Sequence, residues 1–366
     1  MVAVTGSALA ANCSQPLEPG RHKLTIESDG QTRSAVYFIP SSYTGQDKVP
    51  VVFDLHGSNS SSNGQLNRSS WDKVAEKNGF IVVAPQGSLS GKTTGTYAWN
   101  VPFVTTRTGG LDEIAYLRQT VKAVAETFCV DTSRIYASGY SGGGRMLSAY
   151  ICAGHDEFAA AGFVHSLRAG RPVEVGGKWQ PDAANCTPAR PISIIAFAGV
   201  KDTANPYAGG GQPYWQYGFR TAIQRWTELD GCKGNGDPKT VQNVTFSVFA
   251  ACKNDARIVS YVFANGNHDW PKPNAATEAV TVASKESMPG VVKTAVFDPN
   301  IDPASRMWDF FGKNDGSSDV IATTAAAKPS TESPANCAQG NMSETACKSA
   351  AQPASARQND SVQQEL

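Results

Sequence analysis

The sequence predicts an α/β fold in which a mostly parallel central sheet carries helices on both faces. Short, continuous apolar runs such as Val49–Leu55 are typical of strands buried on both sides. Several segments between these runs have apolar residues at helical spacing. A strand, a glycine-rich turn and a helix also follow one another directly within residues 134–150. Strands that alternate with helices favour parallel pairing through right-handed crossovers.

The size and charge of the chain favour one large globular domain. The 366 residues are 40% hydrophobic and 17% charged, which is enough apolar material for a single α/β core. Lys plus Arg equals Asp plus Glu, at 32 each, so no charge bias favours nucleic acid or an anionic membrane as a partner. No run of about 18 apolar residues predicts a membrane-spanning helix.

Both ends of the chain differ in composition from the middle. Residues 1–12 are small and apolar and resemble the back half of a secretory signal, which predicts a secreted protein. Residues 314–366 are rich in Ala, Ser, Thr, Pro, Gln and Asn, and we expect them to be disordered because they cannot bury enough apolar surface. Residues 13–313 form the predicted domain.

The eight cysteines lack the spacing of zinc or redox motifs, so their even number predicts disulfides and an oxidising compartment. The pairs we expect are Cys13–Cys129, Cys152–Cys186, Cys232–Cys252 and Cys337–Cys347. Glycosylation sequons begin at Asn12, Asn59, Asn67, Asn243, Asn341 and Asn359.

The first elements predicted along the chain are a hairpin and two strands with a helix between them. The hairpin pairs residues 23–26 with residues 35–39 around Asp29-Gly30. Val49–Leu55 is the first central strand. Ser69 is predicted to cap the next helix, with Asp72 as its capping-box partner, and residues 81–84 form the following strand.

The later elements continue the alternation of strands and helices. Residues 111–128 carry apolar side chains at steps of three and four, which predicts a long helix before the turn at residue 141. The remaining predictions are strands at 159–164, 191–197 and 257–263 and helices at 221–229 and 305–311.

The turn Gly139-Tyr140-Ser141-Gly142-Gly143 matches the G-x-S-x-G nucleophile elbow of α/β-hydrolases. Glycines flank such a serine because the chain comes very close to itself at this strained position. Ser141 is therefore the candidate nucleophile, and the amide of Gly142 is a candidate donor to an oxyanion.

A serine nucleophile needs an imidazole base and a carboxylate that orients it, and in α/β-hydrolases they follow the serine in the order acid, then base. Among the histidines, only His268 leaves room for a strand and an acid between it and Ser141. Asp202 lies just beyond the predicted strand at 191–197 and is the predicted acid. Asp230 and Asp255 lie at the wrong ends of their elements.

The second oxyanion donor should come from the loop after the first central strand. We assign it to the amide of Ser58 or, failing that, of Gly57. His56 is expected to anchor this loop rather than to take part in chemistry. His165 follows a strand, and an orientation toward the cleft stays open for it.

The chain resembles the secreted feruloyl esterases of type C and the polyhydroxybutyrate depolymerase-like esterases of carbohydrate esterase family one. The resemblance covers residues 19–313, approximately. It depends on HG at 56–57, IVVAPQG at 81–87, Trp99, CVDTSRIYASGYSGGG, VKDTANPY, YWQYGFRTAIQRWTELDGC and NHDWP. It implies an α/β-hydrolase fold, a triad of Ser141, Asp202 and His268, and no cofactor or metal. The segment 165–167 and the insert 167–190 depart from the pattern.

The predicted function is hydrolysis of feruloyl esters on plant cell-wall polysaccharide, by a monomer. A polyester depolymerase is the alternative, and an acyltransferase or a non-catalytic binding protein on the same fold stays open. Trp99, Tyr207 and Trp270 are candidates for binding the substrate, because aromatic faces suit a cinnamoyl ring or a sugar. Core packing is an equal interpretation for each of them.

Overall fold

The computed structural model describes residue 13 and residues 16–105, 108–234, 236–272, 280–285, 292–297 and 301–312. The strands in chain order are β1 Gly20–Ser28, β2 Gln31–Ile39, β3 Val49–Leu55, β4 Ile81–Pro85, β5 Leu89–Ser90, β6 Tyr97–Ala98, β7 Val130–Tyr140, β8 Ala160–Val164, β9 Pro172–Val175, β10 Lys178–Pro181, β11 Ser193–Gly199, β12 Lys239–Val241, β13 Val244–Phe249, β14 Ile258–Phe263, β15 Val280–Lys285 and β16 Val292–Phe297. The α-helices are α1 Ser62–Ser69, α2 Trp71–Asn78, α3 Glu113–Thr127, α4 Gly142–Cys152, α5 Phe219–Leu229 and α6 Pro303–Gly312.

The main sheet of the described residues has ten strands in the order β1-β2-β4-β3-β7-β8-β11-β14-β13-β12. Strands β4, β3, β7, β8, β11 and β14 pair in parallel, and antiparallel strands lie at both edges. The carboxyl ends of β7, β11 and β14 therefore meet at one edge of the sheet, where ligands bind in folds of this type.

Helices cover both faces of this sheet. Side chains of α3, α4 and α5 pack with Phe53 on one face, and side chains of α1, α2 and α6 pack with Val52 on the other. Successive side chains of a strand point to opposite faces of the sheet, so these two neighbours on β3 belong to different cores. The predicted fold class, a mostly parallel α/β sheet with helices on both faces, is confirmed.

The predicted hairpin is longer than the sequence indicated, with Asp29 and Gly30 at positive φ in its turn. The small hairpins β5–β6, β9–β10 and β15–β16 and the edge strands β12 and β13 were not predicted.

The predicted cap at Ser69 is wrong. Ser69 is the last residue of α1, a helix that the sequence analysis missed, and Ser70 precedes α2 without a side-chain capping bond. The Ser69 hydroxyl instead donates to Oδ2 of Asp54 at 2.6 Å, and the Ser138 hydroxyl donates to Oδ1 at 2.8 Å. Asp72 forms an ion pair with Arg21.

Disulfides join Cys13 to Cys129, Cys152 to Cys186 and Cys232 to Cys252, as predicted. The predicted pair Cys337–Cys347, the leader at 1–12 and the tail at 314–366 lie outside the described residues, as do the sequons at Asn12, Asn341 and Asn359. Asn59, Asn67 and Asn243 are exposed. No α-helix in the described ranges is long and apolar enough to cross a bilayer.

Candidate active site

Ser141 lies between strand β7 and helix α4 with φ 50° and ψ −115°, a conformation that is strained for a residue with a side chain. Its amide donates to the carbonyl of Val164 on the neighbouring strand at 3.0 Å. Glycines make the turn possible because a β-carbon at Gly143 would lie 2.2 Å from the carbonyl oxygen of Leu55, and one at Gly139 would lie 2.6 Å from Gly144. The sequence therefore folds into a sharp elbow that holds the serine in place.

The structure brings Ser141, His268 and Asp202 together at one edge of the sheet. Nε2 of His268 lies 2.8 Å from Oγ of Ser141, and Nδ1 of the same ring lies 2.8 Å from Oδ2 of Asp202. Asp202 follows β11 and His268 follows β14, so parallel neighbouring strands deliver both side chains. These three groups can pass a proton from a hydroxyl to an imidazole whose charge a carboxylate stabilises.

Asp202 is held as a carboxylate. Its Oδ1 accepts hydrogen bonds from the amides of Ala204 at 2.9 Å and Asn205 at 2.8 Å. Burial raises the pKa of this carboxyl, but the hydrogen bonds from His268 and the Asn205 amide outweigh burial and hold the pKa below its usual value. The group is therefore ionised at neutral pH.

His165 is buried beside the same carboxylate. Its Nδ1 lies 3.5 Å from Oδ2 of Asp202, and its Nε2 lies 2.9 Å from the carbonyl of Asp269. Burial lowers the pKa of His165 to about 4, more than the charge of Asp202 raises it, so the imidazole is neutral at pH 7. The sequence analysis left open an orientation of His165 toward the cleft, and His165 has this orientation in the structure.

The amides of Ser58 and Gly142, the predicted oxyanion donors, lie close together. A β-carbon at Gly142 would be 3.0 Å from the amide nitrogen of Ser58. Neither amide has a backbone acceptor among the described residues. Gly142 is also the first residue of α4, where the helix dipole is positive. Gly57, the alternative donor, packs against the ring of Tyr140. A β-carbon at Gly57 would lie 2.7 Å from that ring.

His56 lies under this loop and is fully buried. Its Nε2 accepts a hydrogen bond from the amide of Gly87 at 3.0 Å, and its Nδ1 lies 2.8 Å from the carbonyl of Gly57. Burial lowers the pKa of His56 to about 4, which keeps the ring neutral. These contacts fit the predicted anchoring of the loop.

The three aromatic candidates lie in different places. Trp99 lines a cavity of about 250 Å³ together with Ser58 and Gly142. Trp270 lines a second cavity, of about 980 Å³, which His165 also lines. The ring of Tyr207 packs 5.9 Å from that of Phe219 and lines none of the cavities described here. Trp99 is thus the candidate next to the elbow.

Sequence reasoning missed residues that support the site from neighbouring elements. The Tyr140 hydroxyl donates to the carbonyl of His268 at 2.6 Å and so fixes its loop. The side chain of Asn205 donates to the carbonyl of His165 at 2.6 Å and accepts from Arg145 at 3.2 Å. Tyr140 lies inside the elbow motif, which is the one signal that could have identified any of them. Within the described residues, no group of three His, Cys, Asp or Glu side chains could hold a metal ion.

Comparisons with known proteins identify esterases as relatives of this chain. Residues 33–171 match the family model described as Esterase PHB depolymerase. Feruloyl esterase B of Piromyces equi is 28% identical over 242 residues, which are 64% of this chain and 42% of that protein. The chain therefore spans less than half the length of this relative.

Two further proteins are similar at lower identity. The probable feruloyl esterase C of Aspergillus flavus is 25% identical over 275 residues, which are 74% of this chain and 86% of that protein. The solved structure of the acetyl xylan esterase from Aspergillus awamori is 15% identical, with a TM-score of 0.45, and covers 68% of this chain and 95% of its own. The sequence matches confirm the predicted resemblance to feruloyl esterases and to polyhydroxybutyrate depolymerase-like esterases.

Proposed function

We propose that the chain is a serine esterase whose acyl-enzyme forms on Ser141 and whose preferred substrates are feruloyl and related hydroxycinnamoyl esters of plant cell-wall polysaccharide. The observation that carries the proposal is the pair of 2.8 Å contacts that links Ser141 through His268 to Asp202 at a strained elbow. A hydroxyl held in that way is a nucleophile at neutral pH.

In the proposed reaction, Nε2 of His268 takes the proton from Ser141 as its oxygen attacks the ester carbonyl. The amides of Gly142 and Ser58 donate to the oxyanion of the tetrahedral intermediate. His268 then gives its proton to the alcohol that leaves. A water molecule repeats the two steps on the acyl-enzyme and releases the acid. Asp202 holds the ring of His268 and stabilises its positive charge throughout.

The substrate class is supported by the relatives and by the cavity beside the elbow. Feruloyl esterases occur repeatedly among the similar sequences, at 23 to 28% identity. Trp99 forms part of the cavity wall next to Ser58 and Gly142. An indole face suits a cinnamoyl ring, because aromatic rings prefer offset or tilted contacts with one another.

A polyester of hydroxyalkanoates is the second candidate substrate. It is favoured by the match of residues 33–171 to the PHB depolymerase model. Both candidates share the same acyl-transfer chemistry and differ in the acyl group that the cavities accept.

Labelling with a fluorophosphonate probe, followed by peptide mapping, tests the nucleophile. We expect label on Ser141 and none in Ser141→Ala, whereas Ser133→Ala, a surface control, is labelled as the parent is. Label on another serine of the unmodified protein contradicts the assignment.

Hydrolysis rates on methyl ferulate, p-nitrophenyl acetate and a polyhydroxybutyrate film, measured together, decide between the substrates. Inactivity on all three contradicts the proposed function.

We also propose that residues 13–313 form the catalytic domain of a secreted, monomeric protein. Its disulfides support an oxidising compartment, because such bonds persist outside the cytosol.

A further inference from the structure

A mainly apolar chamber lies one helical turn beyond the candidate nucleophile. Its volume is about 250 Å³, and its walls include the apolar side chains of Val101, Val104, Ile114 and Ala149. Arg145 and Tyr214 line both this chamber and the cavity that contains Ser58 and Gly142, so the two spaces adjoin. Arg145 lies on α4 four residues after Ser141, which is about 6 Å along a helix axis.

Three arginines line the chamber. Arg171 forms an ion pair with Asp182, whereas Arg145 and Arg168 are buried and form no ion pair with a described carboxylate. Arg145 is 8% exposed and Arg168 is 5% exposed. Arg145 donates through Nη1 to Asn205 at 3.2 Å, and Arg168 donates through Nη1 to the carbonyl of Tyr217 at 2.9 Å. Nε of Arg145 and both Nε and Nη2 of Arg168 have no acceptor among the described residues.

Burial lowers the pKa of Arg145 more than the charge of Asp202 raises it, and Asp202 acts on Arg145 without forming an ion pair. No Asp or Glu is among the described residues that line the chamber or the adjoining cavity. The ring of Tyr217 lies 3.4 Å from the guanidinium carbon of Arg168, and the ring of Tyr214 lies 4.4 Å from that of Arg145. Ring faces attract a cation but leave its in-plane donors unbonded.

The arginines stay charged although they are buried. Burial lowers the pKa of Arg168 to about 10, which leaves it protonated at neutral pH. A buried charge with unbonded donors is unfavourable unless a partner binds it. A guanidinium fork matches the geometry of an anionic oxygen group.

We propose that the chamber binds an anionic oxygen substituent, a carboxylate or a phenolate, at the distal end of the acyl group of the substrate. This inference rests on the proposed function, since it takes Ser141 as the point from which the acyl group extends. The size of the chamber fits a substituted ring, because a cavity of about 150 Å³ already holds benzene. Apolar walls bind the ring, and the free donors of Arg145 and Arg168 bind its charged end.

Two matched pairs of esters test the inference. Methyl 4-carboxycinnamate is compared with methyl 4-carbamoylcinnamate, which has the same shape without the charge. Methyl 4-hydroxycinnamate is compared with methyl 4-methoxycinnamate across the pH range in which the phenol ionises. We expect kcat/KM to be at least about tenfold higher for the anionic member of one or both pairs, since a hydrogen bond to a charged group is worth about that factor.

The decisive variant is Arg168→Met, with Arg168→Lys keeping the charge and Arg134→Met as a surface control. We expect Arg168→Met to lower the ratio of kcat/KM for the anionic ester to kcat/KM for the neutral ester by about ten- to a hundredfold. Arg168→Lys should retain part of this preference, and Arg134→Met should leave it unchanged. A purely structural role would lower both rates of a pair together. An unchanged ratio in a folded Arg168→Met protein, or a preference of the parent for both neutral esters, overturns the inference.

Binding separates this inference from the proposed function. Calorimetry with 4-carboxycinnamate and 4-carbamoylcinnamate ester probes on Ser141→Ala needs no turnover. If Ser141→Ala prefers the anionic probe and Ser141→Ala/Arg168→Met does not, the chamber binds the anionic group as proposed, even if no ester is hydrolysed. Equal affinity for the two probes overturns it, whether or not the esterase reaction is found.

Discussion

Nδ1 of His165 lies 3.5 Å from Oδ2 of Asp202, the same oxygen that contacts Nδ1 of His268 at 2.8 Å. Two imidazoles thus converge on one carboxylate oxygen. Nε2 of His165 faces the carbonyl of Asp269, so the proton of the neutral ring lies on Nε2 and is donated to that carbonyl. Nδ1 is then unprotonated, and it has no hydrogen bond in the structure. A neutral ring cannot donate to both acceptors. His165 therefore limits the movement of Asp202 by packing while His268 supplies its hydrogen bond.

His165→Asn tests whether this packing positions the acid. Asparagine tolerates the positive φ of 56° at this residue, so the backbone should be retained. We expect kcat on the best ester to fall by about ten- to a hundredfold, with KM changed by less than about threefold, because a displaced acid disorients His268 without removing a substrate contact. His22→Asn is the matched control on the hairpin. A raised KM with unchanged kcat would instead put His165 in the substrate site.

Asp202→Asn tests the role of the carboxylate itself. Asparagine has the same shape but cannot stabilise an imidazolium, and we expect kcat to fall by about 10⁴-fold. Steady-state kinetics on methyl ferulate would measure the loss. Asp230→Asn, in another buried carboxyl, is the control and should retain more than about a tenth of the activity. Comparable losses in the two variants would contradict the assignment of the acid.

The elements that the sequence predicted well are those with a local signature. The G-x-S-x-G turn forces a particular backbone at Ser141, and chain order together with the ends of strands led to Asp202 and His268. The structure brings these residues into contact because β7, β11 and β14 run in parallel. Local patterns were sufficient here because each residue lies directly beyond a buried apolar strand.

The features that were missed depend on contacts between distant segments. Helix α1 has Leu66 as its one large apolar residue, so it lacks the periodicity that predicts a helix. Ser69 has the composition of a cap, but the buried carboxylate of Asp54 uses its hydroxyl. The burial of Arg145 and Arg168 could not be predicted, because arginine is ordinarily exposed and nothing local indicates the aromatic rings around it.

Titration of His56 should make part of the stability dependent on pH. Its pKa is lowered to about 4 by burial, against an ordinary value of 6.5, so its contribution is complete above pH 6.5 and is lost as the pH falls toward 4. We expect the destabilisation caused by His56→Gln to shrink by about 2 kcal/mol between pH 7 and pH 5. Urea unfolding at both pH values would measure it.

Asp54→Asn is the partner experiment with the opposite sign. Burial raises the pKa of Asp54 to about 6, so its carboxyl stabilises the fold below its ordinary value of 3.8 and loses that contribution as the pH rises through 6. We expect the destabilisation caused by Asp54→Asn to grow by about 1 kcal/mol between pH 7 and pH 5. Changes of the same sign in the His56 and Asp54 variants would contradict one of the two pKa directions, and the sign would identify which one.

Gly143→Ala tests the close approach at the elbow. The added methyl group would lie 2.2 Å from the carbonyl oxygen of Leu55 and 2.6 Å from that of His56, and these are backbone atoms that cannot easily move. We expect loss of labelling by a fluorophosphonate probe and a free energy of unfolding lowered by about 3 kcal/mol or more. Gly312→Ala, at a helical glycine with open space around it, is the control and should be neutral or stabilising. A fully active Gly143→Ala protein would mean that the turn differs from the one described.

The disulfides should rank in stabilisation by the length of chain that each one closes. The separations are 116 residues for Cys13–Cys129, 34 for Cys152–Cys186 and 20 for Cys232–Cys252. Loop-closure entropy then gives about 5, 4 and 3 kcal/mol for the three bonds. Unfolding of the double alanine variants by guanidinium chloride would measure the order.

Because Cys152 also lines the chamber, Cys152→Ala/Cys186→Ala should in addition weaken the discrimination between anionic and neutral esters. Cys232→Ala/Cys252→Ala, whose cysteines do not line that chamber, should leave the discrimination intact, and equal losses in the two variants would mean that global loosening rather than the shape of the chamber is responsible.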